Sequence, residues 1–76
     1  MNKERRKIIR EIIDQLSRIQ QIVDQVAGDE SDSFDSLPEN FQEAERGEKM
    51  QDAISALEDV SELIETAKDK LDTALE

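Results

Sequence analysis

Glu58, Glu62 and Glu65 stand three and four residues apart. On a helix that spacing puts carboxylates on one face, where they could hold a di-metal centre or share a proton in general acid–base catalysis. Bundle di-metal sites also use a Glu-x-x-His pair, and the chain has no histidine. Nothing in the sequence around these acids builds an apolar pocket that would tune them for proton transfer. The lack of histidine also removes the usual general base and the commonest metal ligand. There is no cysteine, so disulfides are excluded, which is compatible with a reducing compartment. No catalytic, cofactor-binding or metal-ligating residue is assigned, no cofactor is expected, and the chain reads as non-enzymatic.

The acids of "GDESDSFD" raise calcium as a second possibility. An EF-hand loop needs glycine at its sixth position and glutamate at its twelfth. Counting from Asp29, those positions hold Phe34 and Asn40, and the pattern fails. A solvated linker is the simpler expectation.

The cations are few and clustered. "KERRK" with Arg10 brings Arg5, Arg6 and Arg10 together as a possible anion site. Arg46, in "ERGE", stands apart and offers either a ligand phosphate contact or a salt bridge to Glu43, Glu45 or a nearby helix acid. Phe34 and Phe41 are the only aromatics. They offer a partner anchor or a cap on the local core. Against these cations stands a net charge of −10 over 76 residues. That excess repels duplex nucleic acid and anionic membranes, and favours a partner with a basic surface. Residues 1–27 carry +2, whereas residues 28–47 and 48–76 carry −6 each. No apolar run is long enough to span a membrane, and the N-terminus lacks the apolar core and cleavage site of a signal peptide. A cytoplasmic location is expected.

The elements that must position these groups are helices. Ile9, Ile12, Leu16, Ile19, Val23 and Val26 recur at alternating spacings of three and four, a heptad seam. Ile8, Ile13 and Ile22 widen it. This pattern predicts a first helix over 3–27, stopped at Gly28. Met50, Leu57, Ile64 and Leu71 fill one heptad row of a second helix over 48–75, with Ala53, Val60, Ala67 and Ala74 in the other. Ile54, Leu63 and Leu75 broaden that face.

Matched lengths and opposite charge predict an antiparallel hairpin, with the basic start of helix one beside Asp69, Asp72 and Glu76. The fold class is therefore all-α: a long antiparallel helical hairpin, coiled-coil-like, in a single domain. One alanine-rich helix cannot cover all the branched residues of helix one. Self-association through Ile9, Ile12, Leu16, Ile19 and Val23 into a dimeric or larger bundle is expected.

The connector, 28–47, exceeds a simple helix–helix turn. "GDESDS" reads as a polar, mobile stretch. Ser36 and Glu39 fit a capping box, and Pro38 suits a first turn, so a short helix over 38–45 is expected. Phe41 precedes Met50 by nine residues, which on a straight helix is the opposite face. The connector should therefore bend near Gly47 and lay Phe41 back over the open end of the hairpin.

"FDSLPENFQEAERGEKMQDAISALEDV" resembles a pattern in small acidic helical proteins of phages and prophages of Gram-positive bacteria, with an "LPEN-Q--ERGE" connector. The resemblance implies a phage or prophage origin, a helical fold and no enzymatic activity. With the charge, it points to an inhibitor of a bacterial defence system. Such a protein would occupy a basic surface of a host protein through Asp52, Asp59, Glu62 and Asp69 on helix two, with Phe41 and Arg46 as further partner contacts. A sponge for a small nucleotide signal is the alternative of another class, using Arg5, Arg6, Arg10 and Arg46 with Phe41 stacked on a base. A structural or assembly coiled coil is the third.

Overall fold

The computed structural model describes all 76 residues. Two long helices, α1 (Lys3–Asp35) and α3 (Glu45–Leu75), are joined through a single short turn of helix, α2 (Glu39–Gln42). The long helices pack antiparallel along their length, and α2 rests on the start of α3. The result is an all-α hairpin measuring 58 × 15 × 12 Å. Its radius of gyration is 17.3 Å, against about 11 Å for a compact chain of this length.

The face that α1 turns to α3 follows one strict alternation of three and four. The partly or fully covered positions along it are Arg6, Ile9, Ile13, Leu16, Gln20, Val23, Ala27, Glu30 and Phe34, with Ser17 and Ser31 partly covered at its border. On α3 the same alternation runs through Gly47, Met50, Ile54, Leu57, Ser61, Ile64, Lys68, Leu71 and Leu75. Two of the expected rows are therefore present, Ile9–Leu16–Val23 and Met50–Leu57–Ile64–Leu71. Each is partnered by a different second row from the one expected. Ile12, Ile19 and Val26, and likewise Ala53 and Val60, do not enter this seam. Polar residues with reach stand where aliphatic ones were anticipated.

The reason is visible at mid-seam. The Gln20 Nε2 donates to the Ser61 carbonyl at 3.1 Å and to Glu65 Oε2 at 3.1 Å. Its Oε1 accepts from Lys68 Nζ at 3.2 Å. Lys68 also pairs with Glu65 at 3.5 Å. A satisfied polar cluster at one level of an otherwise apolar seam fixes register, because sliding the helices would strand its donors.

The helix ends are closed from outside. Asn2 Oδ1 accepts from the Arg5 amide at 2.8 Å, an ordinary N-cap. The last turn of α3 contains no basic residue, and Arg6 supplies one across the hairpin, donating to the Leu75 carbonyl at 2.6 Å. The expected neighbourhood of basic and acidic ends therefore takes the form of a guanidinium on a helix C-terminus. No ion pair joins the "KERRK" cluster to Asp69, Asp72 or Glu76.

The first helix does not stop at Gly28; it continues through "GDESDS" to Asp35. Phe34 lies seven residues beyond Ala27 and stays in phase with the seam, beside Gln51, Ile54, Ser55 and Glu58 of α3. Packing there overrides the weak helix propensity of the segment. Gly28 is thus a glycine inside a helix, and a Cβ built on it meets nothing within 4 Å. Gly28→Ala is expected to raise stability by about 1 kcal/mol, measured by urea denaturation, because it removes backbone freedom from the unfolded chain without a clash.

The connector is shorter and tighter than expected. The capping box does not form: Ser36 ends α1, its Oγ donating to the Asp32 carbonyl at 2.9 Å, and no side chain caps α2. Pro38 serves instead through its carbonyl, which accepts from the Phe41 and Gln42 amides at 2.9 and 3.1 Å. Gln42 Nε2 donates to the carbonyls of Phe34 and Leu37 at 3.2 and 3.0 Å, closing the C-terminal end of α1. The direction change falls at Glu43 and Ala44, ahead of α3, so residues 38–75 are not one straight helix. Gly47 lies inside the first turn of α3 and is one of two buried residues in the chain. Phe41 remains 49% exposed and is an incomplete lid; Phe34 and Leu37 are the better covered residues there.

Candidate functional site

The seam divides each helix into two flanks, and the flanks differ in chemistry. On α1, the residues one position before a seam residue include Ile8, Ile12, Ile19, Ile22 and Val26. On α3 they include Ala53, Ala56, Val60, Leu63, Ala67 and Ala74. Arg5 and Asp29 of α1 and Arg46, Lys49 and Lys70 of α3 fall on the same side, so it is apolar through its middle and charged toward its ends. Two antiparallel helices are related by a twofold rotation perpendicular to the plane of the hairpin. The same rotational offset on each, counted along its own chain direction, therefore falls on the same side of that plane. Both apolar flanks accordingly lie on one broad face. Its larger side chains are open to solvent, from 39% at Ile12 and 40% at Val60 to 60% at Ile22 and 68% at Leu63.

The residues one position after the seam form the opposite broad face. On α3 they include Glu58, Glu62, Glu65, Asp69 and Asp72. On α1 they include Arg10, Asp14, Ser17, Gln21 and Asp24. Asp52 and Asp59 project along the outer edge of α3, directly away from α1. From Asp52 to Asp72, seven acids face two lysines, and all seven acids are exposed. The hairpin is thus a slab with an apolar middle on one side and an acidic surface on the other, the acid concentrated on α3.

The anticipated contact residues distribute as follows. Asp52, Asp59, Glu62 and Asp69 share this acidic surface of α3. Phe41 and Arg46 do not join them. Arg46 lines a shallow open hollow at the connector end with Glu30, Glu45, Lys49 and Met50. It forms none of the anticipated salt bridges; the ion pair in that hollow is Lys49–Glu45 at 3.3 Å. Both members are largely exposed, so its worth is small. Arg5, Arg6 and Arg10 stand at the far end of the hairpin, and Arg6 is already engaged on Leu75. Arg10 and Glu30 are about 30 Å apart along α1. A single chain therefore does not bring the arginines of the nucleotide-sponge alternative around Phe41. Of the anticipated self-association residues, Ile9, Leu16 and Val23 are spent within the hairpin, and Ile12 and Ile19 are exposed on the apolar face.

No group of three or more acidic side chains converges to hold a metal ion. No helix is long and apolar enough to cross a membrane. The polar residues that matter most to the fold, Arg6, Gln20, Ser61 and Lys68, escape a search for apolar periodicity. Their signal is the heptad itself: Gln20 lies midway between Ile13 and Ala27, and Ser61 and Lys68 continue from Ile54. Gln42 carries no periodic signal, since its role is a side-chain contact across a turn. Comparison of the chain with protein-family models, curated proteins and solved structures finds no match.

Proposed function

We propose that this chain is a non-enzymatic interaction protein whose acidic face binds a basic surface of a partner protein. The setting implied by its connector is that of a phage inhibitor acting on a bacterial defence protein. One observation carries the reading: the acids are segregated, with Glu58, Glu62, Glu65 and Asp69 gathered on α3 away from the apolar flank. Segregation of this kind creates a one-sided field that steers association with a basic surface and sets specificity. Acidic helical faces can imitate the charge of nucleic-acid phosphates, so occupancy of a basic host surface alone would inhibit it.

The test is charge reversal of Asp59 and Glu62 to Lys, with capture from host lysate followed by affinity measurement on the recovered partner. Both positions are exposed and outside the seam, so helicity should be unchanged. Binding should weaken roughly 10- to 100-fold, because two attractions become two repulsions. Raising salt on the wild type should act in the same direction, exposed charges being screened over about 10 Å at 0.1 M. Binding that survives both treatments but fails with Arg46→Ala or Phe41→Ala would move the site to the connector and reject the acidic face.

A further inference from the structure

We infer that the apolar broad face of the hairpin is the docking surface for a second copy of the chain, and that two hairpins close face to face into an antiparallel four-helix bundle. This is independent of what the acidic face binds.

The first support is the breadth of the apolar stripe on α1. Ile12, Ile19 and Val26 lie between two flanks: Ile13 and Ala27 turn to α3, while Ile8 and Ile22 turn away from it. A helix that is apolar on both sides of a central row has two helical neighbours to satisfy. The hairpin supplies only one. In a four-helix bundle Ile12 and Ile19 would point to the central axis, and Ile8 and Ile22 would meet the second copy. On α3 the open flank has the same form, with Val60 and Leu63 on the side away from α1.

Area gives the second support. The chain exposes 5750 Å², whereas a folded monomer of 8.7 kDa exposes about 4700 Å². The excess of roughly 1000 Å² is what one partner contributes to a well-formed dimer of ordinary size. No large side chain is fully buried, and Ala27 is the only buried hydrophobic residue. A chain with so little interior of its own has its core elsewhere, in the contact it makes.

Charge selects a second copy as the occupant. The start of α1 carries Lys3, Arg5, Arg6, Lys7 and Arg10; its end carries Asp24, Asp29, Glu30, Asp32 and Asp35 and no base. When two hairpins stack with every neighbouring helix antiparallel, the basic start of α1 lies beside an acidic helix end of the other copy. That end is either Asp29–Asp35 or Asp69–Glu76, according to which helix lies opposite. The mid-helix acids Glu58, Glu62 and Glu65 stay on the opposite face, away from the contact.

The test is sedimentation equilibrium of the full chain at micromolar concentration, with circular dichroism on the same samples. The wild type is expected at twice the 8.7 kDa chain mass. Ile19→Glu combined with Leu63→Glu should return it to the single-chain mass, association weakening at least about 100-fold. Ile22→Gln, which keeps good helix propensity, should weaken association about tenfold and decides the matter if the double variant loses its helices. Asp59→Lys with Glu62→Lys should leave the mass unchanged, which separates this contact from the acidic face. A helical wild type at the single-chain mass throughout would overturn the inference. So would a double variant that keeps the dimer mass, an Ile22→Gln variant that associates as tightly as the wild type, or dissociation caused by the acidic-face variant.

Discussion

Gly47→Ala is expected to lower the unfolding free energy by about 1–3 kcal/mol, the usual cost of forcing an atom into a packed contact. A Cβ at this position would stand 2.6 Å from the carbonyl carbon of Gln42 and 2.7 Å from the Phe41 oxygen, and would collide with the Gln42 oxygen as well. All three are backbone atoms. They are held by the α2 turn, whose amides bond to the Pro38 carbonyl, so no side chain can rotate aside. Alanine gains about 1 kcal/mol of helix propensity over glycine in α3, which does not offset the collision. Relief requires α2 to move off α3, carrying the Gln42 amide away from the end of α1. Urea denaturation of Gly47→Ala beside Gly28→Ala checks this: the same change in two helices should have opposite signs. Equal stabilisation by both would show that the connector does not press on α3.

This contrast bears on how much of the molecule the sequence discloses. One heptad row of each helix follows from apolar spacing, Ile9, Leu16, Val23 and Met50, Leu57, Ile64, Leu71, and the antiparallel hairpin follows from the matched helix lengths and the opposite charge of their ends. The second rows do not follow. Arg6, Gln20 and Lys68 occupy them through side-chain hydrogen bonds and Ser61 accepts through its main-chain carbonyl, whereas apolar periodicity selects Ile12, Ile19, Ala53 and Val60 in their stead. Gly28 resembles a helix stop because glycine usually is one; the seven-residue step from Ala27 to Phe34 is the stronger signal. Gly47 reads as a bend because a glycine near a phase break suggests one, whereas its use is to let two backbones approach. The acidic surface of α3 was visible as composition. Its segregation from the apolar flank depends on which residues form the seam, and so needed the fold.

Leu16→Ala is expected to cost about 2 kcal/mol, at the lower end of large-to-small changes because the side chain is only half-buried in the hairpin. Leu16 sits in the seam row shared by both sequence and structure, one turn before the Gln20 cluster. Removing it opens a gap in the seam beside the hydrogen bonds from Gln20 to Ser61 and Glu65. The measurement is thermal and urea unfolding at several protein concentrations, since a bundle of two chains unfolds at a midpoint that rises with concentration. A loss below about 0.5 kcal/mol, within the range of ordinary surface substitutions, would mean that the seam does not hold the hairpin together.

Two hydrogen bonds of the seam share an arithmetic. Arg6 meets Leu75 and Gln20 meets Ser61. Fourteen residues forward on α1 correspond to fourteen back on α3, and a further fourteen reach Phe34 and Gly47 at the connector. The pairing is a mirror about the connector with a grain of seven. The chain can therefore change length only in matched pairs: a heptad lost or gained on one arm must be answered by a heptad on the other. A single inserted residue in either arm would rotate everything beyond it by about 100°, bringing the acidic or the apolar flank into the seam. Variation in size among chains of this design should come in steps of fourteen residues, with the connector left as it is.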